Sequence, residues 1–303
     1  MNRIVIFSDN NGWHEEQLLR AFAARQITPT LISLRDCRIG FGTGRLGVDI
    51  PGFRDELPCA AMVRAVPGGS FEEVSLRLDI LHALTESGAL IYNDARMIER
   101  TVDKGMTSFL LARHGIATPA TWVCESQAEA REVIRIEALK GNRVVLKPLF
   151  GNCGRGLLLL QEPDQLPPPE EVNGVYYMQS FIPQRDGSGR DWRVLVINHR
   201  AVAAMERVSD HWITNRARGG RCLQAVLTER LRRLAEEASA AAGTSYAGVD
   251  IIADAENNYL VLEVNGVPAW RGLQSVCQDE IARLLVADFL ARLDDHRLQS
   301  AAV

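Results

Sequence analysis

The chain has 303 residues, 47% hydrophobic and 24% charged, with a net charge of -4. That length suits two or three compact units, the composition is that of an ordinary globular protein, and the mild acidity leaves no electrostatic footprint for nucleic acid as a main partner. Six scattered cysteines (Cys37, Cys59, Cys124, Cys153, Cys222 and Cys277) form no CxxC pair and have no histidine at ligand spacing, which argues for free thiols and against a disulfide framework or a zinc site.

The first apolar run, four residues before Ser8 and Asp9, is too short for the core of a signal peptide, and no later run is long enough to span a bilayer. A cytoplasmic location is expected, with no membrane partner. RIVIF, the polar loop after it and the amphipathic stretch to Gln26 predict strand, loop and helix, and TPTLISL predicts a second strand. Strand, helix and strand at this spacing make a βαβ unit, hence a parallel sheet. The glycine-rich GFGTGRLGVDIPGF contains G-x-G but does not join a first strand to a first helix, so it is read as a loop or irregular hairpin. AAMVRAV predicts a third strand, residues 70–88 a helix ending at Gly88, and ALIYND a short strand. Residues 1–96 are thus expected to form a small three-layer α/β domain.

Residues 95–115 predict one helix, IATPATWVC an extended segment, and residues 126–141 a helix with Ser126 and Glu129 in a capping-box pattern. VVLKPLFGNCGRGLLLL then predicts strand, glycine loop and strand, a Pro-rich loop follows, and VYYMQSFI returns. From Asp191 the pattern is mostly β. DWRVLVIN and AVAAMERV flank a turn, a helix runs over 228–243, AGVDIIAD and YLVLEVN form a hairpin, and residues 278–293 form a closing helix. Units of 97–183 and 184–303 are expected.

Three groups of residues carry chemistry. Lys147 precedes Gly151, Gly154 and Gly156, the reverse of a Walker loop, and the glycines lead into a strand rather than a helix. A lysine reaching phosphates from a sheet under a glycine hairpin fits this order; an ordinary turn with a solvated lysine fits it too. Cys153 is read as a small residue that a tight turn tolerates. Glu263 and Asn265 share one face of a strand, and Asp250 stands on the strand before, so three hard oxygen donors could bind magnesium together with substrate phosphates. Acidic residues on a solvated sheet face are the bland alternative. Arg193 and Arg207 suit phosphate or carboxylate groups, whereas Arg216, Arg218 and Arg221 read as exposed loop charge. His14 could touch a substrate but reads as a solvated loop residue, and no histidine stands near a nucleophile motif.

The ordered series DK, TPATW, VVLKPLFGNCGRG, YMQSFI, RDWRVLVI, AAMERV, TNRARGG, AGVDII and VLEVNGVP resembles the ATP-grasp superfamily, and within it the RimK-like α-L-glutamate ligases. The resemblance runs from about Arg64 to Leu293. It implies a parallel α/β pre-ATP-grasp domain followed by a two-subdomain ATP-grasp fold. It also implies phosphate contacts from Lys104 and Lys147, adenine contacts from Gln179, Ser180, Phe181 and Ile182 through backbone groups, and a ribose contact from Asp191. Asn215 would complete the nucleotide pocket; Asp250, Glu263 and Asn265 would hold magnesium, with manganese as the alternative ion; Arg193 and Arg207 would face the transferred phosphate. The implied reaction is ATP-dependent ligation of a carboxylate to an amine through an acyl phosphate, adding an amino acid such as glutamate to a protein, peptide or cofactor acceptor, in a homodimer or tetramer. A non-catalytic ATP-binding module and an ATP-grasp enzyme of another reaction type are the competing readings. Ser180, Ile213 and Trp270 depart from the family pattern, Trp270 at the expected substrate end.

Overall fold

β1 (Ile4–Phe7) is buried along its whole length, as an interior parallel strand must be. The chain crosses through α1 (Trp13–Ala23) to β2 (Thr30–Ile32), which runs parallel to β1. The computed structural model describes residues 3–40, 47–53, 56–151, 154–184 and 189–301. β3 (Arg38–Ile39) and β4 (Val48–Asp49) pair antiparallel and give the stem of the expected hairpin, while the glycine run at 41–46 lies outside the described residues. β5 (Ala60–Val63), α2 (Phe71–Glu86) and β6 (Leu90–Tyr92) follow. The resulting sheet is all parallel in the order β2-β1-β5-β6. Ser70 caps α2 by accepting from the Glu73 amide, Glu73 reaches back to the Ser70 amide, and Gly88 closes the helix with φ +86°.

The single helix expected over 95–115 is two: α3 (Ala95–Val102) and α4 (Lys104–Arg113). The break is Asp103, whose backbone is extended and whose carboxylate accepts from the Met106 amide at 3.0 Å. An aspartate competes with the helix for backbone donors, so it favours a cap over an interior position. The restart puts Lys104 in a first turn facing the glycine loop.

β7 (Thr121–Cys124), α5 (Gln127–Leu139), β8 (Val144–Lys147), β9 (Leu158–Leu160) and β10 (Tyr176–Ser180) form an antiparallel sheet in the order β7-β10-β8-β9. Ala130 and Ile134 of α5 pack under it with Val144, Leu146, Tyr176 and Met178. The larger antiparallel sheet contains β11 (Gly189–Ile197), β12 (Arg200–Ser209) and β13 (Arg221–Gln224). After α6 (Glu229–Ala242) it is completed by β14 (Tyr246–Ala253) and β15 (Tyr259–Asn265), giving the order β13-β12-β11-β14-β15. α6 covers one face, with Leu231, Ala235 and Ala238 against Val194, Val196 and Val249.

After the short α7 (Arg271–Gln274), α8 (Ile281–Ala301) is longer than its predicted 278–293 and returns to the start of the chain. Its Leu285, Phe289 and Leu293 share one core with Ile4, Ile6 and Phe22 and with Leu195, Ile197 and Met205. The third layer of the N-terminal α/β unit therefore includes the last helix, and that core continues into the five-stranded sheet. Buried Asn93 ties the same units together, donating to the Gly266 and Tyr246 carbonyls at 2.6 and 2.7 Å and accepting from the Ser245 amide at 2.6 Å. Among the described residues, no helix is long and apolar enough to cross a membrane.

Candidate active site

A cavity of about 840 Å³ lies between the two antiparallel sheets, with the N-terminal unit contributing His14 and Arg64 to its lining. One wall comes from β8 and β10. Val144 to Leu146 are buried, so Lys147 at the end of β8 is carried to the cavity by a strand anchored in a core. Its Nζ donates to Gln179 Oε1 at 2.6 Å. Burial lowers the Lys147 ammonium to about 8, with Glu263 opposing the shift and Lys104 adding to it. Lys104, also lowered by burial, donates to the carbonyls of Gly151 at 2.8 Å and Leu149 at 3.3 Å, so it holds the entry to the glycine loop.

The opposite wall is a row across four strands. The register pairs Arg207 with Asp191, Arg193 with Asp250, and Asp250 with Glu263. Arg193 Nε and Nη2 each donate to an oxygen of Asp250 at 2.6 Å. Arg207 donates from Nε to Asp191 at 2.7 Å, pairs through Nη2 with the second Asp191 oxygen, and reaches Asp250 Oδ2 at 2.9 Å. Burial would raise the Asp250 carboxyl, but Arg193 and then Arg207 override it and hold it well below the usual carboxylate range. Burial opposes the charge on Arg207 as well, and Asp191 and Asp250 more than restore it. Glu263 is less engaged: Asn265 Nδ2 donates to it at 3.0 Å, and Arg193 stands 3.9 Å away.

Fifteen of the proposed site residues front this one cavity: Lys104, Lys147, Gly151, Gly154, Gln179, Ser180, Phe181, Ile182, Asp191, Arg193, Arg207, Asn215, Asp250, Glu263 and Asn265. Gly156 does not. It has φ +69° and stands against Pro148, where an added Cβ would come within 2.9 Å of Cγ, so it serves the turn rather than the cavity. Gly154 makes the close approach, since a Cβ there would lie 2.4 Å from Asn215 Oδ1 and 3.3 Å from Ile213 Cγ2. Cys153 lies outside the described residues.

Two placements differ in kind from their sequence reading. The Gln179 side chain is buried and positions Lys147, donating in turn to Thr121 Oγ1 at 3.2 Å. Both oxygens of Asp191 are held by Arg207, so this carboxylate fixes a guanidinium in addition to fronting the cavity. The amides of Ser180 and Phe181 donate to the Ala120 and Arg143 carbonyls at 2.8 and 2.9 Å. Arg143, not singled out in the sequence, lies 4.2 Å over the Phe181 ring and lines the cavity, as do Arg216 at the rim, His14, Arg64 and Arg271. Only register could have found Arg143, because it sits in a turn before a strand whose partner is remote. Trp270 is fully buried, edge-on to His14 at 4.6 Å, while its neighbours Ala269 and Arg271 reach the cavity.

Residues 101–289 match the RimK-like ATP-grasp domain. Over 300 residues the chain is 33% identical to the tetrahydromethanopterin:alpha-L-glutamate ligase of Methanococcus maripaludis, covering 95% of this chain and 98% of that one. It is 30% identical over 208 residues to the alpha-aminoadipate–LysW ligase LysX of Saccharolobus solfataricus, with 66% and 74% covered. In fold it is similar to the ATP-grasp ligase PsnB complexed with minimal precursor, Mg and ADP, at a TM-score of 0.71 and 20% identity over 97% of this chain and 98% of that one.

Proposed function

The chain belongs to the RimK-like ATP-grasp family and is an ATP-dependent ligase forming amide bonds, and we propose that it works through an acyl phosphate with an acidic amino acid such as L-glutamate as the amine. The acceptor would carry a carboxylate on a protein, peptide or cofactor. One observation carries this reading: Lys147 at the end of β8 and Lys104 in the first turn of α4 share a single cavity with Asp191, Asp250, Glu263, Arg193 and Arg207 of the five-stranded sheet.

The donor set fits magnesium. Asp250 and Glu263 oppose each other across β14 and β15, Asn265 stands two residues along the same face, and all three offer hard oxygen donors. The same set would take manganese. Bound by these residues, the ion would offset triphosphate charge and polarise the phosphoryl group.

The chain's own residues would act as follows. Lys147 and Lys104 attract the phosphates, and Gln179 aims the first while the Gly151 carbonyl aims the second. The purine would lie along Gln179–Ile182, where the Ser180 and Phe181 amides already donate to the Ala120 and Arg143 carbonyls. Asp191 and Asn215 border the sugar. Arg193 and Arg207, clamped in plane by Asp250 and Asp191, present fixed positive charge where charge develops as the carboxylate attacks the γ-phosphorus and ADP leaves. The amine then attacks the acyl carbon and expels phosphate. Gly154, packed against Asn215, would help keep water from the acyl phosphate.

The test is amine-dependent ADP release, screened with amino acids against carboxylate acceptors and followed by mass spectrometry. Lys147→Ala and Glu263→Gln, at a carboxylate less engaged by arginine than Asp250, should each lower turnover by about 100-fold or more while the fold is kept. Near-normal turnover in both variants would sink the mechanism.

A further inference from the structure

We propose that the crevice at the carboxyl edge of the N-terminal sheet is a carboxylate subsite, in which Arg64 grips a carboxylate of the substrate that does not react. The inference rests on the ligase reading and adds a specificity residue from outside the ATP-grasp sheets.

The crevice is where the topology places a ligand. From β1 the chain crosses to β2 on one side, and the sheet later grows through β5 on the other, so β1 and β5 diverge at a switch point. A cavity of about 380 Å³ opens there, lined after β1 by Ser8 and residues 10–15, and after β5 by Arg64 and Ala65. His14 and Arg64 also line the larger cavity, so the two spaces share a wall.

Arg64 is poised for an anion. Its Nη1 reaches the Val267 carbonyl at 3.5 Å, and its Nε, sealed from solvent, has no hydrogen-bond partner among the described residues. The carboxylate that lines the crevice, Glu15, is engaged elsewhere: Oε1 accepts from Ser8 Oγ at 2.8 Å and Oε2 from the Gly12 amide at 3.1 Å. The guanidinium lies 5.1 Å over the Trp270 ring, which fixes its plane. His14 supports the same polarity. Its Nε2 accepts from the Trp270 amide at 3.2 Å, and burial, then Arg64, lower its pKa to about 4, so it stays neutral and adds no charge to the crevice. Glu15 acts on Arg64 only through space, and an enclosed guanidinium with no carboxylate bonded to it is costly, whereas a planar fork is matched by one. The phosphates and the reacting carboxylate belong beside Lys147, Arg193 and Arg207, which leaves a non-reacting carboxylate for Arg64.

That carboxylate could come from the amino acid or from the acceptor, and titration separates them. Intact protein saturated with magnesium and a non-hydrolysable ATP analogue is titrated calorimetrically with L-glutamate against L-glutamine, and with a diglutamate peptide against its C-terminal amide. The wild type should prefer the carboxylate member of at least one pair by about tenfold or more, and Arg64→Gln should abolish that preference. Loss confined to glutamate assigns the subsite to the amino acid; loss confined to the peptide assigns it to the acceptor. Unchanged preferences in Arg64→Gln, or a wild type indifferent within both pairs, overturn the proposal. Should Arg64→Gln melt early, Arg64→Lys is read instead; it keeps the charge without the fork and should lose about threefold or more. The two readings fail separately: wild-type protein that binds no nucleotide removes the ligase mechanism, whereas one that binds nucleotide but ignores the carboxylate removes only the subsite.

Discussion

Arg207 and Arg64 meet the same cavity under opposite conditions. Arg207 is buried on the five-stranded sheet and held by two carboxylates, Asp191 and Asp250, the second shared with Arg193. Arg64 projects from the end of a parallel strand with one long contact to a carbonyl and a sealed Nε that has no partner among the described residues. The first is a finished part of the protein, stable and fixed in orientation before any substrate arrives. The second is completed only by something that is not protein. A charge that is paired internally serves as fixed electrostatics, and one left unpaired in an enclosed place marks recognition.

Removing each charge while keeping its stem gives the largest expected difference. Arg207→Met strands the Asp191 carboxylate and should cost about 3–5 kcal/mol of unfolding free energy. Arg64→Met removes a cation that no carboxylate hydrogen-bonds and should change stability by about 1 kcal/mol or less. Urea midpoints measure both, and equal losses would erase the contrast. Lys147 is an intermediate case, partnered by a neutral amide. Its folded pKa of about 8 lies below the ordinary 10.5, so the unfolded chain binds more protons between those values and this group's contribution to stability rises with pH across that window. Nucleotide prefers the ammonium form, so ATP affinity should move the other way, falling above pH 8 toward about tenfold per unit. A flat affinity from pH 7 to 9.5 contradicts this. A small loss is expected at Asp103→Ala, which removes the α4 cap and should cost about 1 kcal/mol by thermal unfolding. ATP binding should weaken in parallel because Lys104 leaves the first turn.

Much of this was legible in the sequence because it is local. The β1, α1, β2 crossover follows from period and spacing, and the Glu263 and Asn265 alternation on β15 assigns two ligands to one face without any structure. The antiparallel pairing of Asp250 with Glu263 follows from the short turn between their strands. The order of motifs then specified the family. Asp103 was visible as a residue type but not as a break, because a cap and an interior aspartate have the same local sequence until the neighbouring loop is in place.

What the sequence by itself determined is most of the elements, the parallel sense of the first unit and the antiparallel sense of the β14–β15 hairpin, and the chemical classes of the groups at the phosphate end. What only tertiary structure decided are the partners. Nothing in the chain order says that the last helix packs on the first strand, that Gln179 aims Lys147, or that Arg207 is held by Asp191 while Arg64 is held by no carboxylate. Periodicity is imposed by the backbone over a few residues, whereas a charge's partner is chosen across sheets and can be read only when both sides are in place.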